Sequence, residues 1–487
     1  MRRGGRGSPR RRAHPACQRA RSQISVRFGD SSMTPSTTPA TVATDDRLSH
    51  TDQLLFLGQR ATGQELVAQC VWVYERPVEI DKLRDFHRNF GHGLAGRLIE
   101  RSPLPFGRHR WVAAPGPAAP LDFAEQPRPR EELGDWADAR AQLPIDPEVG
   151  PGWHMGVLSM TDGSTAVSLV ISHCLIDGLG TLQTIADAVK GETVDFGYAA
   201  PGSRGRLQAV LADLRQTARD LPQTAATLVR AGRLAIRRRH EVALSAKPRR
   251  DFGPDGRSDV VAPAIACYVP LEEWDLRAAA LGGNSHSLVA AFAAKLGELM
   301  GRRRSDDGTV LLHVPISDRA PGDTRGNAAY IVNAHLDPTD VTKDLSGARS
   351  AIRQALEAYR QEPDETLQLL PLTPFIPQRA VARGSQVVLN LTDLPVSCSN
   401  LGDIDPLVSR IDGAAAEYLI LRGVDRRVSR EFLENRNGLL TVLAGRVDDK
   451  MSISVIGYRP GGPNDKPQLR ELVAKALAEF DLVGTIA

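Results

Sequence analysis

Two short apolar runs separated by a turn organise the first half of the chain. Residues 154–160 (HMGVLSM) and 165–172 (TAVSLVIS) have strand length, and the TDGS between them carries Asp-Gly at its centre. This pattern predicts two paired strands joined by a tight turn. The stretch LGTLQTIADAVKG that follows predicts a helix that ends at Gly191.

The segments before these strands predict further elements of both kinds. DRLSHTDQLLFLGQ (46–59) predicts a short amphipathic helix with Ser49 or Thr51 as its N-cap. QELVAQCVWVYE (64–75) is rich in β-forming residues and predicts a strand. IDKLRDFHRNFGHGLAGRLIE (80–100) has apolar residues near helical spacing, with glycines that can break the helix.

A long stretch without any strand signal divides the chain. Residues 203–243 predict one or two amphipathic helices broken at Pro222, and the charged, turn-rich residues 244–262 predict a boundary. The second half returns to mixed elements. Strands are predicted at 264–270, 310–315, 329–336 and 386–391 and near 416–421, 439–446 and 451–457, with helices at 286–301, 343–361 and 466–480.

These elements predict an α/β (α+β) protein with two lobes, each a mixed sheet with helices, because 487 residues exceed one ordinary core. The alternation of strands and helices is too irregular for a βα barrel. We expect a disordered N-terminal tail at 1–45, an N-terminal lobe at 46–202, a helical crossover and linker at 203–262, and a C-terminal lobe at 263–487.

Charge and cysteine usage narrow the class of protein. The net charge is +3, and six arginines lie within residues 1–12, so the remainder is near neutral and does not favour nucleic-acid binding. The five cysteines are scattered and form no Cys-x-x-Cys pair, which favours a reducing cytoplasm over a disulfide framework or a zinc site. No apolar run reaches the roughly 20 residues of a spanning helix, and the N-terminus lacks the apolar core of a secretory signal.

His173 is the residue whose setting most suggests chemistry. It follows the apolar run 165–172, and Gly178 and Gly180 allow a tight turn into the next helix. Strand ends of this kind present functional groups in open α/β sheets, and an imidazole moves protons near neutral pH. A hydrogen-bonded structural histidine is the equally open alternative. Asp177 either holds the ring or pins the loop, and neighbouring Cys174 is a weak candidate nucleophile because buried cysteines usually act as small hydrophobes.

The motif SHCLIDG resembles the His-x-x-x-Asp-Gly motif of the CoA-dependent acyltransferases and nonribosomal-peptide condensation domains. Other segments follow in the order typical of the bacterial wax ester synthase/diacylglycerol acyltransferase group: LSHTDQLLFL, the Arg- and Leu-rich helical connector, GGNSHSLVAAFAAKL, VPISDRAPGDTRGNAAYIV and CSNLGDI. The resemblance covers roughly residues 46–480. It implies two chloramphenicol-acetyltransferase-like lobes with a substrate tunnel between them.

The resemblance also implies roles for single residues. His173 would be the general base that takes a proton from an acceptor hydroxyl or amine as it attacks an acyl thioester. Asp177 would be architectural and pair with Arg319 in VPISDR, the alternative for Arg319 being a surface pair with Asp318 or Asp323. The N–H of Gly178 and the side chains of Ser399 or Asn400 are candidate oxyanion donors, although Asn-Leu-Gly is also a turn-forming sequence.

No metal or cofactor is implied. The expected partners are acyl-CoA and a lipid or alcohol acceptor, or alternatively an acyl-carrier protein as donor, with an ester or amide as product. A non-catalytic lipid-binding member of the fold is the third hypothesis. We expect a cytoplasmic protein, and the basic cluster at 237–240 is a hint of peripheral membrane contact, with a solvated helix end as its alternative.

The chain departs from the wax ester group at three motif positions. Ser172 stands where that group has a second histidine, and His286 and Ser287 stand where it has Asn-Asp. These departures leave the general base intact but argue against ordinary wax ester or triacylglycerol synthesis. His286 is expected to be a helix-start residue, and His313 lies in a predicted strand where it could line a tunnel or sit in the core.

Overall fold

A computed structural model describes residues 45–244, 256–361, 367–377 and 394–486, excluding the side chains of 235–244. The described residues belong to one compact unit. The predicted tail up to residue 44, the strand at 386–391 and the side chains of the basic cluster at 237–240 lie outside this description. Among the described helices, none combines the length and the apolar character needed to cross a bilayer.

Ten α-helices and fourteen strands are described, together with several short 3₁₀ segments. The helices are α1 His50–Thr62, α2 Ile80–Phe90, α3 Leu133–Ala141, α4 Gly178–Lys190, α5 Arg206–Leu244, α6 Leu271–Ala280, α7 Ser285–Leu299, α8 Ser346–Gln361, α9 Arg430–Asn435 and α10 Lys466–Glu479. The 3₁₀ segments are Gly93–Ala95, Arg130–Glu132, Leu367–Phe375 and Pro406–Ser409. The strands are β1 Glu65–Tyr74, β2 Arg97–Glu100, β3 Arg110–Ala113, β4 Asp122–Phe123, β5 Trp153–Ser159, β6 Thr165–Ser172, β7 Ala264–Pro270, β8 Val310–Ser317, β9 Ala329–Leu336, β10 Val396–Asp403, β11 Tyr418–Arg426, β12 Leu439–Val447, β13 Lys450–Tyr458 and β14 Thr485–Ile486.

The first sheet has the strand order β11-β1-β6-β5-β4. Strands β5 and β6 form the predicted hairpin, with Trp153 opposite Ile171 and Ser159 opposite Thr165. Strand β11 comes from the second half of the chain and pairs antiparallel with β1 at the edge of this sheet. The second half therefore supplies one strand to the sheet that ends at the His173 motif.

The second sheet has the order β14-β7-β13-β12-β10-β8-β9, and a separate pair joins β2 to β3. One face of the second sheet packs on α7, α8 and α10 around a core that includes Phe292, Leu312 and Phe480. The opposite face presents alternate side chains of β8 and β10, since their neighbours in each strand point into that core. This second face carries several polar residues towards the first lobe.

Local sequence signals explain where the helices begin and end. Ser49 caps α1, its side chain accepting from the N–H of Asp52, as the pattern predicts. Helix α4 ends at Gly191, whose φ of 80° is the left-handed conformation that glycine adopts without a side-chain clash. The helical pattern over 80–100 is interrupted at its glycines, as the sequence allowed: α2 ends at Phe90. Gly91 packs closely there, since a Cβ on it would lie 2.0 Å from the carbonyl oxygen of Gly116.

The predicted break in the long central helix was wrong. Helix α5 runs unbroken through Pro222, where a break was predicted. The 3₁₀ segment Leu367–Phe375 packs beside α5 residues on both sides of Pro222, and the helix continues despite the hydrogen bond that proline cannot make. Helix α6 was not predicted. The CSNLGDI segment forms strand β10, and Asn400 accepts from the N–H of Gly402 where the register of the strand shifts, as the turn-forming Asn-Leu-Gly allowed.

Candidate active site

The backbone of His173 is fixed at the end of β6, while its side chain remains uncommitted. Its N–H donates to the carbonyl of Leu66 at 3.0 Å, and its carbonyl accepts from Nδ2 of Asn327 at 3.0 Å. The residue is half-buried, and its imidazole makes no hydrogen bond to any residue that the structure describes. The ring is therefore held in place from its backbone and left available to a ligand.

Asp177 is fully engaged in the architecture of the turn. Its Oδ1 accepts from the N–H of Gly180 at 2.8 Å, which makes it the N-cap of α4. Its Oδ2 accepts from Nη2 of Arg319 and from the N–H of Ala328, each at 2.8 Å. The structure thus brings Asp177 and Arg319 together, and a largely buried carboxylate gains the partners it needs.

Gly180 permits this ion pair by having no side chain. A Cβ there would lie 3.0 Å from Oδ1 of Asp177 and 3.2 Å from the guanidinium carbon of Arg319. Both distances are shorter than ordinary carbon contacts, so any side chain would push the pair apart. Arg319 also donates to the carbonyl of Gly326 at 2.9 Å, and so joins the turn to the loop between β8 and β9.

Asp52 in α1 anchors the same loop from the other side. Its Oδ1 accepts from the backbone N–H of Asn327 at 2.7 Å and from Nδ2 of that residue at 3.1 Å. Its Oδ2 accepts from the N–H of Gly326 at 3.0 Å and from the hydroxyl of Ser49 at 2.8 Å. Because Asn327 also bonds the carbonyl of His173, the buried Asp52 fixes the base indirectly.

Arg97 on β2 is a buried cation that also supports the motif. Its Nη2 donates to the carbonyl of Leu175 at 2.9 Å, and its Nη1 donates to the carbonyl of Thr324. The guanidinium lies 3.6 Å above the ring of Trp111, and burial lowers the pKa of Arg97 to about 10. Sequence reasoning missed Arg97, Asp52 and Asn327. Asp52 and Asn327 lay within segments that resembled the family, but no local pattern marked their contacts.

The two candidate oxyanion side chains lie on β10 and differ in availability. Leu401 of that strand packs beside Gly178, at 3.6 Å from the position a Cβ would take, so the strand faces the turn. Asn400 accepts from the N–H of Gly402 and lies 3.0 Å from Nδ1 of His286, so its amide serves a bulge and a neighbouring helix. Ser399 points away from the core that holds Cys398 and Val396.

The other residues singled out from the sequence have mainly structural surroundings. His286 is exposed in the first turn of α7, and Ser287 completes a capping box with Asn284. Ser172 is buried and pairs with Val67, so it faces the opposite side of the sheet from His173. His313 lies on β8 beside Ser397, and burial, with Arg436 nearby, lowers its pKa.

The thiol of Cys174 lacks the surroundings of a nucleophile. Cys174 is buried, its Sγ lies 2.7 Å from Oε1 of Gln59, and burial raises the pKa of its thiol to about 12. A thiol of that kind is not a nucleophile near neutral pH. Within the described residues, no three His, Cys, Asp or Glu side chains form a group that could hold a metal ion.

A cavity of about 650 Å³ opens beside the N-terminus of α4. It is bounded by α2, α4, the loop after β8, and β10, and Gly180, Arg319 and Leu401 are among its lining residues. Its charged lining is mainly acidic: Asp187, Glu192, Asp323, Asp403 and Asp405. Three of these carboxylates, Asp187, Asp323 and Asp403, are paired with Lys190, Arg325 and Arg446. The cavity reaches the turn at Gly180 and Arg319, whereas His173 is not one of its lining residues.

Comparison with known proteins identifies the fold. No protein-family model matches the chain, and no curated protein matches it. The first condensation domain of the CDA synthetase superposes with a TM-score of 0.53 at 14% identity, covering 91% of this chain and 99% of that one. The same domain of the calcium-dependent antibiotic synthetase, in complex with a substrate analogue, gives 0.54 at 15% identity over 90% and 100% of the two chains.

A wax ester synthase/diacylglycerol acyltransferase from Marinobacter aquaeolei VT8 is also similar, with a TM-score of 0.50 at 15% identity over 89% of this chain and 98% of that one. The chain thus has the two-lobed chloramphenicol-acetyltransferase-like fold of condensation domains and of this synthase, which confirms the expected fold. At such low identity the likeness establishes the fold alone.

Proposed function

We propose that the protein is an acyltransferase that moves an acyl group from a thioester to an acceptor hydroxyl, with His173 as general base. The observation that carries the proposal is the division of labour in the motif. Asp177 is saturated by Arg319, Gly180 and Ala328, whereas the imidazole of His173 is half-buried and uncommitted. If His173 had a purely structural role in this turn, we would expect its ring to form a hydrogen bond.

The proposed reaction needs no covalent acyl-enzyme. His173 takes the proton of the acceptor hydroxyl as its oxygen attacks the thioester carbonyl, which forms a tetrahedral oxyanion. When the carbon–sulfur bond breaks, the carbonyl re-forms, the thiolate leaves, and the imidazolium returns the proton to sulfur. The proton and electrons balance without a cofactor.

The oxyanion would be stabilised by donors at the turn and on β10. Gly178 is the first residue of α4, so its N–H has no partner within the helix and lies at the positive end of the helix dipole. Of the two side chains on β10, we favour the hydroxyl of Ser399, because Asn400 is engaged with Gly402 and His286. Preorganised donors of this kind supply a large share of transition-state stabilisation.

Two thioester donors are compatible with this chemistry. Acyl-CoA is the first choice, and an acyl-carrier protein in a condensation-type reaction that forms an ester or amide is the second. The lining of the cavity beside α4 holds more carboxylates than cations, so we assign this cavity to the acceptor rather than to the diphosphate of CoA. A non-catalytic, lipid-binding protein is the third candidate, and the uncommitted imidazole argues against it.

The test is product analysis by mass spectrometry with purified full-length protein. One sample receives mixed acyl-CoAs and a cell lipid extract, and a second receives the same acyl groups on a phosphopantetheinylated carrier protein. We expect new acylated products with wild type and none with His173→Ala. Products only with the carrier protein would support the condensation-type alternative. Tight lipid binding without turnover from either donor would contradict the enzymatic proposal.

We also propose peripheral membrane contact through α5. Five leucines, among them Leu207 at 78% and Leu228 at 61% exposure, repeat along one face: Leu207, Leu211, Leu214, Leu221 and Leu228. Exposed arginines lie on the adjoining side of the helix: Arg215, Arg219, Arg230 and Arg233. An apolar stripe beside a basic one suits the surface of an anionic bilayer.

Vesicle flotation tests this contact. We expect wild type to float with phosphatidylglycerol-containing vesicles more than with pure phosphatidylcholine, and Leu221→Gln with Leu228→Gln to reduce flotation. Leu276→Gln on α6, which is 64% exposed, is the matched control and should float as wild type does. Equal flotation of all three proteins would refute the assignment. A cytoplasmic location is likewise proposed, supported by the unpaired, buried thiols of Cys70, Cys174, Cys267 and Cys398.

A further inference from the structure

Strand β11 carries a carboxylate towards the turn that holds His173. Asp425 pairs with Leu66 across the β11–β1 ladder, and the carbonyl of Leu66 accepts from the N–H of His173 on its other side. Leu66 and Asp425 form one row of the ladder, so their side chains project from the same face, and His173 lies in the turn directly after the neighbouring pair of Val67 and Ser172. Two strand spacings separate Asp425 from His173, about 10 Å between backbones. Two side chains leaning across Leu66 can span most of this gap.

Within the described residues, no short polar contact fixes the carboxylate of Asp425. It makes no hydrogen bond and no ion pair within the described residues, although the residue is partly buried. Other nearby carboxylates are engaged: Glu65 with Arg426, Asp52 with Asn327, and Asp177 with Arg319. Asp425 is therefore the uncommitted carboxylate near the base.

The electrostatic surroundings couple Asp425 to His173. Burial holds the pKa of Asp425 above its ordinary value and outweighs Arg436 and His173, which both lower it. A positive charge on His173 therefore favours the ionised form of Asp425. Arg436, at the end of α9, also lowers the pKa of His313 on β8, so it is the cation shared by this part of the cleft. The groups that face Asp425 are thus Arg436, His173 and, through Arg436, His313.

We propose that Asp425 is a positioning residue for the base, whose carboxylate stabilises the imidazolium that forms when His173 takes the acceptor proton. The inference rests on the proposed function, in which His173 is that base. The carboxylate of Asp177 is occupied by its contacts within the turn, so the motif itself supplies no carboxylate to the ring of His173. The stabilising charge comes instead from a strand that the second half of the chain adds to the first sheet. Pairing of β11 with β1 thereby brings the carboxylate of Asp425 near His173.

The first test measures the titration of His173 directly and needs no turnover. Histidine labelled at Cε1 is followed by NMR in the full-length protein, with His173→Gln used to assign the resonance. Removing a nearby negative charge disfavours the protonated ring, so Asp425→Asn should lower the pKa of His173 by about one unit. Asp85→Asn, an exposed position on α2, is the matched control and should leave it unchanged.

Kinetics give the second readout. In Asp425→Asn, we expect kcat/KM to fall about tenfold at neutral pH and the acidic limb of its pH profile to move to lower pH, with Asp425→Glu restoring part of both. An unchanged His173 titration in folded Asp425→Asn would overturn the proposal. A raised acceptor KM with an unmoved limb would also overturn it, since that result indicates substrate binding. Absence of turnover in wild type would contradict the proposed function, while the NMR shift would still decide the coupling.

Discussion

At the scale of single residues, the motif separates chemistry from architecture. His173 is tied down through its backbone, and its ring is free, whereas the side chain of Asp177 accepts from three donors. The two residues that are four positions apart in the motif therefore have different roles: His173 offers a free ring, and Asp177 stabilises the turn. Substituting His173 should reduce activity, whereas substituting Asp177 should reduce stability.

Asp177→Asn should reduce stability. Its ion pair with Arg319 has both side chains only 11% exposed, and breaking one partner of such a pair leaves an uncompensated buried charge. We expect a loss of about 3 kcal/mol in the free energy of unfolding, measured by urea denaturation. A variant with wild-type stability and no turnover would contradict the architectural assignment and return Asp177 to the chemistry.

Gly178 offers a test of the substrate path. A Cβ there would meet only Leu401 at 3.6 Å, an ordinary contact, so the backbone does not demand glycine. Gly178→Val should change the melting temperature little but reduce kcat/KM at least tenfold, because its methyl groups would enter the space between the turn and β10. Gly178→Ala, with no branch, is the control. Full activity in the valine variant would exclude a substrate path at this point.

At the scale of elements, the loop between β8 and β9 is the part that assembles the site. Arg319 reaches the turn from one side of it, and Asp52 in α1 holds Gly326 and Asn327 from the other. The base is thus fixed by α1, β6 and this loop together. Substitutions in α1 should therefore alter the position of His173 although α1 makes no direct contact with its ring.

Asp52→Asn makes that prediction measurable. All four groups that contact the carboxylate are donors, so an amide nitrogen would face donors where an acceptor is needed. We expect about 2 kcal/mol of lost stability and a lower kcat, read from urea denaturation and initial rates. Ser49→Ala, which removes one donor and the helix cap, serves for comparison and should cost about 1 kcal/mol. Unchanged stability in Asp52→Asn would contradict the anchoring role.

Local sequence patterns predicted elements better than they predicted contacts between elements. Ser49 and Gly191 set helix ends through their own backbone and side chain, so the sequence indicated both correctly. The glycines after Phe90 likewise indicated where α2 can end. The continuous helix through Pro222 was not predicted, and residues 367–375, which pack beside it, are distant along the chain. The Asp177–Arg319 pair was anticipated only through the family resemblance. Asp52, Arg97 and Asp425 carry no local signal, since their partners come from other strands and loops.

At the scale of the whole molecule, buried histidines link folding to pH. Burial lowers the pKa of His50 and His109 to about 4 and that of His154 to about 3, from the ordinary 6.5. Each ring is neutral in the folded protein and takes up a proton more readily when unfolded. Their contribution to stability is therefore complete above pH 6.5 and is lost as the pH falls towards 4 and 3.

The urea midpoint should consequently decline between pH 6.5 and 4. His154→Gln should flatten this decline, because an amide cannot titrate and can still accept from Arg140, which lies 3.1 Å from the ring. His335→Gln, at an exposed position, is the control and should decline as wild type does. A midpoint that is constant over this range in wild type would contradict the neutral, buried state of these rings.

The proposed role of the His173 imidazole is that of the base in an acyl transfer. The most direct test is the rate of thiol release from an acyl thioester in the presence of the acceptor found by product analysis, for wild type and for folded His173→Ala. General-base catalysis is worth about 10²- to 10⁴-fold, so a rate reduced by at least a hundredfold at unchanged stability is the expected result. A His173→Ala protein that releases thiol at the wild-type rate would contradict the account.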